Sequence, residues 1–280
     1  DKNFIKENID FIISLAEQCF LNEYVYVQSK KEIDHVKKLA DKVSTEKEIN
    51  ELEIAILGCY ISLLSEKRIV DKLSAYKSKN NLFNDLINLQ IQEPLKELEL
   101  KDRIKSIEKI SDDVSKKVRD QYEEYPYPRW RYTYSNSPFD FLNFFKNQIR
   151  PNRIKISHKF LNPKVLIAGC GTGNHICQAA NYFNSNILGV DLSLASLAYA
   201  KRKVHELGLK NVELLHADIL QLNNLNKKFD IIESVGVLHH MRDPFKGLKI
   251  LSDLLEPHGL LLLGLYSEKA RQEVIKAKEF

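Results

Sequence analysis

With 280 residues and 44% apolar side chains, the chain is long enough for one large or two ordinary domains with a sizeable core, which excludes disorder as its general state. Its 42 basic and 38 acidic side chains leave a net charge of +4, too small for a nucleic-acid coat or a membrane-surface binder, so such partners must be read from local patches. Cys19, Cys59, Cys170 and Cys177 form no CxxC pair and have no histidines at ligand spacing, so neither a disulfide framework nor a zinc site is indicated and a reducing, cytoplasmic setting is expected.

No membrane span is expected either, since the most apolar run, 260–265, is far shorter than the roughly 20 residues a spanning helix needs. Residue 1 is Asp and the single methionine is Met241, which predicts a piece of a longer chain.

Residues 1–120 carry apolar side chains at helical spacing, as in Phe4, Phe11, Ile12, Leu15 and Cys19, and again in Ile49, Leu52, Ala55, Ile56, Cys59 and Leu63. The charged stretches Lys30 to Asp34 and Glu46 to Glu53 read as solvated helix faces, Gly58 is the only glycine, and no repeat of solenoid length stands out. An all-helical domain is expected. It holds 21 basic and 23 acidic side chains, a net of −2, whereas 121–280 hold 21 and 15, a net of +6.

Residues 121–163 read as an aromatic and proline-rich strap and linker. Tyr122, Tyr125-Pro126-Tyr127-Pro128-Arg129-Trp130-Arg131, Tyr132 and Tyr134 crowd together, and alternate prolines forbid a helix there. From residue 164 short β-branched runs alternate with helical stretches, the signature of a parallel sheet flanked by helices. The strands are expected at 164–168, 186–190, 212–216, 229–234 and 260–265, with helices at 174–183, 194–207, 219–225 and 244–255.

The first of these strands enters Gly169-Cys170-Gly171-Thr172-Gly173. Glycines at i, i+2 and i+4 before a helix let the backbone turn tightly and approach a ligand. Asn174 stands where a dinucleotide fingerprint wants its third glycine, and no Gly-Lys-Ser/Thr follows, so neither that motif nor a phosphate loop is present. The second strand ends at Asp191, placed to accept ribose hydroxyls, and the third near Asp218 and Ile219, a carboxylate and an apolar surface suited to adenine. Each acid alone also reads as a helix cap; three such features in order point to a nucleoside-type cofactor. His239 and His240 follow the fourth strand, where they suit either proton removal or packing.

These residues, 165–173 with Val190-Asp191-Leu192-Ser193, Ala217-Asp218-Ile219 and 229–244, resemble a class I S-adenosylmethionine-dependent methyltransferase. The resemblance implies an α/β, Rossmann-like methyltransferase sheet over 164–280, preceded by an all-α domain and incomplete at its C-terminus. The family sheet closes with a hairpin, so sequence beyond Phe280, inside a helix starting near Glu268, is expected to complete it. The implied cofactor is S-adenosylmethionine, with Gly169, Gly171 and Gly173 flanking its methionine part, Asp191 holding the ribose, Asp218 and Ile219 holding the adenine, and Cys170, Leu192 and Ser234 also among the implied cofactor-binding residues. One departure is Ile167, where the family often carries an acid. The Asn/Asp-Pro-Pro-Tyr box of adenine and amide methyltransferases is absent, and Cys170 reads as a small filler rather than a nucleophile.

A closer resemblance lies in 118–130, 191–203 and 263–268. It is to bacterial methyltransferases linked to tetratricopeptide repeats and to protein lysine methyltransferases of obligate intracellular bacteria that modify an outer-membrane protein, and it implies a protein substrate and a homodimer. Tyr125 and Tyr127, with His239 and His240, are then the catalytic candidates, because aromatic walls favour a neutral amine beside a sulfonium. Three other readings stay open: a tRNA methyltransferase using the basic run Lys146, Arg150, Arg153, Lys155, His158, Lys159 and Lys164; a small-molecule methyltransferase; and a non-enzymatic binding module.

Overall fold

The computed structural model describes residues 8–133, 137–153, 155–156, 158–267 and 269–277. Phe4, Tyr134, Glu268 and Phe280, named above, lie outside the described residues. The chain divides into two compact units, Asp1–Glu99 and Leu100–Phe280.

The first unit is helical: α1 (Ile9–Leu21), α2 (Lys30–Thr45), α3 (Glu51–Gly58), α4 (Lys67–Leu73) and α5 (Asn81–Ile87), continued by a π-helical turn, Asn88–Gln92, and α6 (Glu93–Lys101). Local chemistry sets the starts. Ser29 and Glu32 close a capping box before α2, and the Asn50 side chain accepts from Glu53 N at 3.3 Å before α3. Ile13, Leu57, Leu63, Phe83, Leu86 and Ile91 fill the core.

A polar side chain is built into this unit. Gln90, fully buried, donates from Nε2 to the carbonyls of Ala16 and Gly58, both at 3.1 Å, while its Oε1 accepts from Leu63 N (3.2 Å) and the Tyr24 hydroxyl (3.3 Å). All four hydrogen-bonding positions of the amide are used. A Cβ on Gly58 would stand 3.3 Å from Gln90 Nε2, which accounts for the one glycine of this unit.

The second unit is built on a six-stranded sheet in the order β1-β4-β3-β2-β5-β6, from β1 (Lys105–Ser106), β2 (Lys164–Ala168), β3 (Asn186–Asp191), β4 (Val212–His216), β5 (Phe229–Val235) and β6 (Leu255–Gly264). Every pairing is parallel. A parallel sheet needs cover on both faces. One face packs through Val165, Ile167 and Ile231 on α8 (Phe141–Gln148), α9 (Asn174–Ala179) and α10 (Leu194–Glu206). The other packs through Leu166, Ile232 and Leu188 on the 3₁₀ turns Ile219–Leu225 and Leu238–His240 and on α11 (Pro244–Asp253), which starts at an Asp243 cap with proline in its first turn.

Four details depart from expectation. The division falls at Glu99–Leu100, some twenty residues ahead of the expected position at 120, because β1 pairs with β4 and α7 (Asp113–Glu124) packs on α10. Helix α8 lies in the stretch read as an extended linker. The segment 219–225 is 3₁₀, held by a capping box between Asp218 and Gln221, and β6 begins at Leu255 rather than 260. After β6, a 3₁₀ turn (Lys269–Arg271) leads into α12 (Gln272–Ala277).

Replacing Gln90 with Leu would leave the Ala16 and Gly58 carbonyls and the Leu63 amide without partners in a dry core, at about 1–3 kcal/mol for each stranded group. Gln90→Leu is expected to lower the urea midpoint of unfolding clearly; an unchanged midpoint would show that the amide network contributes nothing.

Candidate active site

The C-terminal ends of β2, β3, β4 and β5 open on one cavity of about 580 Å³, within the usual size of small-molecule sites. The glycine loop after β2 turns over the end of β3, with Gly169 N and Cys170 N both donating to Val190 O at 2.8 and 2.9 Å. Asp191 pins it there: Oδ2 accepts from Gly171 N at 2.8 Å and Oδ1 from Ser193 N at 2.9 Å. Withdrawal from water pushes the Asp191 carboxyl up, and these amide bonds oppose the shift. Asp218, 3% exposed, accepts from Leu220 N at 2.9 Å.

Both acids are therefore caps of their own loops, the plain reading of an acid at a strand end, and both also line the cavity. Each Asp191 oxygen keeps a lone pair beyond its amide partner, and this suits it to a pair of hydroxyl donors.

The glycines divide by task. A Cβ on Gly173, at φ +86°, would meet the Ala200 Cβ at 2.7 Å, so this glycine lets α9 approach α10 and does not line the cavity. A Cβ on Gly169 would stand 2.3 Å from Val237 Cγ2, whereas one on Gly171 would meet only the Tyr127 carbonyl, at 3.9 Å. Cys170 lines the cavity with a thiol that burial pushes far up, which suits a filler and not a nucleophile.

The strap forms the opposite wall. Thr172 Oγ1 donates to Pro128 O at 2.6 Å, and the Trp130 indole, 9% exposed, donates to Thr172 O at 3.1 Å. The Trp130 carbonyl takes the Tyr199 hydroxyl, and the Lys203 ammonium lies 5.2 Å from the indole centroid. At the other end Ser193 Oγ donates to Tyr122 O at 3.0 Å, and the Glu123 carboxylate accepts from Leu194 N and Ala195 N at 2.8 and 3.1 Å, over the N-terminus of α10. Tyr122, Tyr127 and Pro128 face the cavity. Burial first, then the nearby Asp191, Tyr266 and Tyr127, pushes the Tyr122 hydroxyl up.

Of the sequence-derived candidates, Gly169, Cys170, Gly171, Asp191, Leu192, Asp218, Ile219, Tyr127 and His240 converge on the cavity, while Gly173, Ser234, Tyr125 and His239 do not line it. Ser234 is buried and donates to Ala168 O at 3.0 Å, a strand-to-strand tie, and the Tyr125 side chain is exposed. His239 packs its ring on Tyr266 (4.1 Å between centroids) and His240 (4.2 Å), with no hydrogen-bond partner for either ring nitrogen among the described residues. Sequence reasoning missed Ser115, Thr172, His175 and Tyr266. Thr172 sat within the glycine loop in plain view; the others carry no local signal.

Burial lowers both His239 and His240, with Arg271 acting on each and His240 also on His239. Their folded pKa values lie below the unfolded value near 6.5, so the unfolded chain takes up protons first on acidification and stability falls as the pH drops below about 6.5. The paired variant His239→Gln/His240→Gln is expected to flatten this slope in urea titrations between pH 7.5 and 5.5; an identical slope in both proteins would contradict it.

Residues 161–279 match the family model described as a methyltransferase domain. An uncharacterized protein of Synechococcus is 29% identical over 184 residues, covering 61% of this chain and 41% of the relative. Another, from Rickettsia prowazekii, is 32% identical over 160 residues, covering 54% and 59%. The solved structure of PKMT2 from Rickettsia typhi in complex with AdoHcy is 32% identical, with a TM-score of 0.38, over 49% of this chain and 26% of that one. The chain thus spans about two fifths to three fifths of the length of these two curated relatives. Residues 161–279, which carry the parallel sheet and the strand-end cavity, match a methyltransferase domain, and S-adenosylmethionine is the cofactor that this match indicates.

Proposed function

We propose that this chain transfers the methyl group of S-adenosylmethionine to an amine of a protein acceptor, a lysine side chain. The observation that carries the reading is the shared cavity, which Gly171, Asp191 and Asp218 line together with Tyr122, Tyr127, Tyr266 and His240.

In this reading Asp191 accepts the two ribose hydroxyls and Asp218 the adenine amino group, with Ile219 against the ring. When bound, the cofactor supplies an electrophilic methyl on a sulfonium. Transfer of that methyl to the acceptor nitrogen would leave the cofactor as its neutral thioether, with Asp191, Asp218 and Ile219 holding the adenosine in place. The protein's part is alignment and exclusion of water. A lysine ammonium must first lose a proton, and its ordinary pKa of about 10.4 makes that costly at neutral pH. Tyr122, Tyr127 and Tyr266 present faces and edges that desolvate the amine and favour its neutral form. His240, lowered by burial, is a base at the cavity wall able to take the proton. A protein acceptor and a homodimer are what the closer sequence resemblance implies, and both belong to this proposal.

The basic residues Lys146, Arg150, Arg153, Lys155, Lys159 and Lys164 line no part of the cavity, so the tRNA reading draws no support from the site.

Incubation of the purified chain with methyl-labelled cofactor and cell fractions is expected to place label in protein, at lysine. Asp191→Ala is expected to weaken cofactor binding about 10- to 100-fold, the loss of charge-assisted hydrogen bonds worth about 1.5–3 kcal/mol. Label appearing in RNA or in small molecules would refute the acceptor assignment, and unchanged binding by Asp191→Ala would refute the role of that carboxylate.

A further inference from the structure

Strand β5 carries a buried acid after two apolar residues. Glu233, 1% exposed, follows Ile231 and Ile232 in a strand flanked by β2 and β6. A carboxylate withdrawn from water is costly unless it is paired and hydrogen-bonded. Here Oε1 accepts from the Tyr182 hydroxyl at 2.7 Å, while Oε2 lies in close contact with His175 Nε2 but has no hydrogen bond among the described residues. Burial, followed by the charge and hydrogen bond of Glu233, pushes the Tyr182 hydroxyl up. Replacing such a group with an apolar side chain is often neutral for stability, so the pair calls for a role besides holding the sheet together.

Its position suggests one. In the sheet Glu233 stands in register with Ile167, two residues before the glycine loop. His175, in the first turn of α9, joins this buried acid to the cavity: its side chain is 28% exposed and lines the cavity wall. Contact with Glu233 through Nε2 fixes the ring orientation. The other ring nitrogen, Nδ1, has no partner among the described residues.

The order of strands gives the direction of the ligand. Asp218 follows β4, Asp191 ends β3, the glycine loop follows β2, and Glu233 lies in β5; these four strands are neighbours in that order. An adenosine held by Asp218 and Asp191 therefore points its 5′ substituent across the glycine loop toward β5 and His175. That substituent ends in an amino and a carboxylate group, both of which need polar contacts. Among the described residues lining the cavity there is no lysine or arginine.

We propose that His175 is the side-chain contact for the amino-acid end of the cofactor, with Glu233 and Tyr182 as the residues that position its ring. This rests on the cofactor reading of the cavity. The consequence is selectivity: the histidine distinguishes a nucleoside bearing the full amino-acid tail from one that ends at the sulfur.

Pairing a truncated ligand with a truncated side chain tests it. Binding of S-adenosylhomocysteine and of 5′-methylthioadenosine, which lacks the amino-acid tail, is measured on the full chain, on His175→Ala and on Glu233→Gln. The expected result is a loss of about tenfold or more for S-adenosylhomocysteine with His175→Ala, and a change of less than about twofold for methylthioadenosine. Glu233→Gln, which keeps the shape, is expected to give a smaller loss confined to the same ligand. Equal losses for both ligands would mean a merely structural pair and overturn the proposal, as would no loss for either. If Glu233→Gln does not fold, His175→Ala and His175→Asn carry the comparison alone. A wild-type chain that binds neither nucleoside would instead overturn the cofactor reading itself, and this proposal with it.

Discussion

The architecture of the candidate site depends on one carboxylate accepting two backbone amides, one from each of two loops. Asp191 holds Gly171 on one oxygen and Ser193 on the other, so the glycine loop after β2 and the turn after β3 keep a fixed separation. Neither loop has a regular ladder of its own at this point. The desolvation that raises this carboxyl is the cost of the arrangement, and the two amides return part of it. A cavity wall made of backbone held in this way is rigid before a ligand arrives, which limits the ordering a ligand must impose on binding.

The strap extends the same logic to the other wall. Its two ends are tied to the same two loops that Asp191 joins, Pro128 and Trp130 to Thr172, and Tyr122 and Glu123 to the residues at the start of α10. The aromatic rings between these ties are thereby presented to the cavity by a segment with little secondary structure after Glu124. The sequence reading of this strap gave its aromatic rings the part of a wall beside a sulfonium. The rings share the work: Trp130 is buried as an anchor, Tyr122 and Tyr127 form the wall, and Tyr125 does neither.

What the sequence made legible follows from the range of the interactions. Strands β2 to β5, the glycine loop and the two acids are written in alternating periods and in turn chemistry spanning a few residues, and they emerged within one or two positions. Strand β1 did not, because two residues have no period, and its pairing depends on β4 more than a hundred positions later. The pairing of His175 with Glu233 is hidden for the same reason: 58 positions separate them, and only the strand register brings them together. Gly173 admits a neighbouring helix, and such a glycine looks like one that admits a ligand in a string of letters.

Strand β1 and the strap both precede residue 161, where the match to the methyltransferase family begins. The sheet is thus completed by upstream chain: one edge is covered by Lys105 and Ser106, and the cavity is lined in part by Tyr122, Tyr127 and Pro128. A dissection of this protein at the start of the family match would strip the sheet of its rim and the cavity of its ceiling. The smallest piece worth expressing alone starts near Leu100, and a chimera with a relative should carry the 100–160 segment along with the sheet.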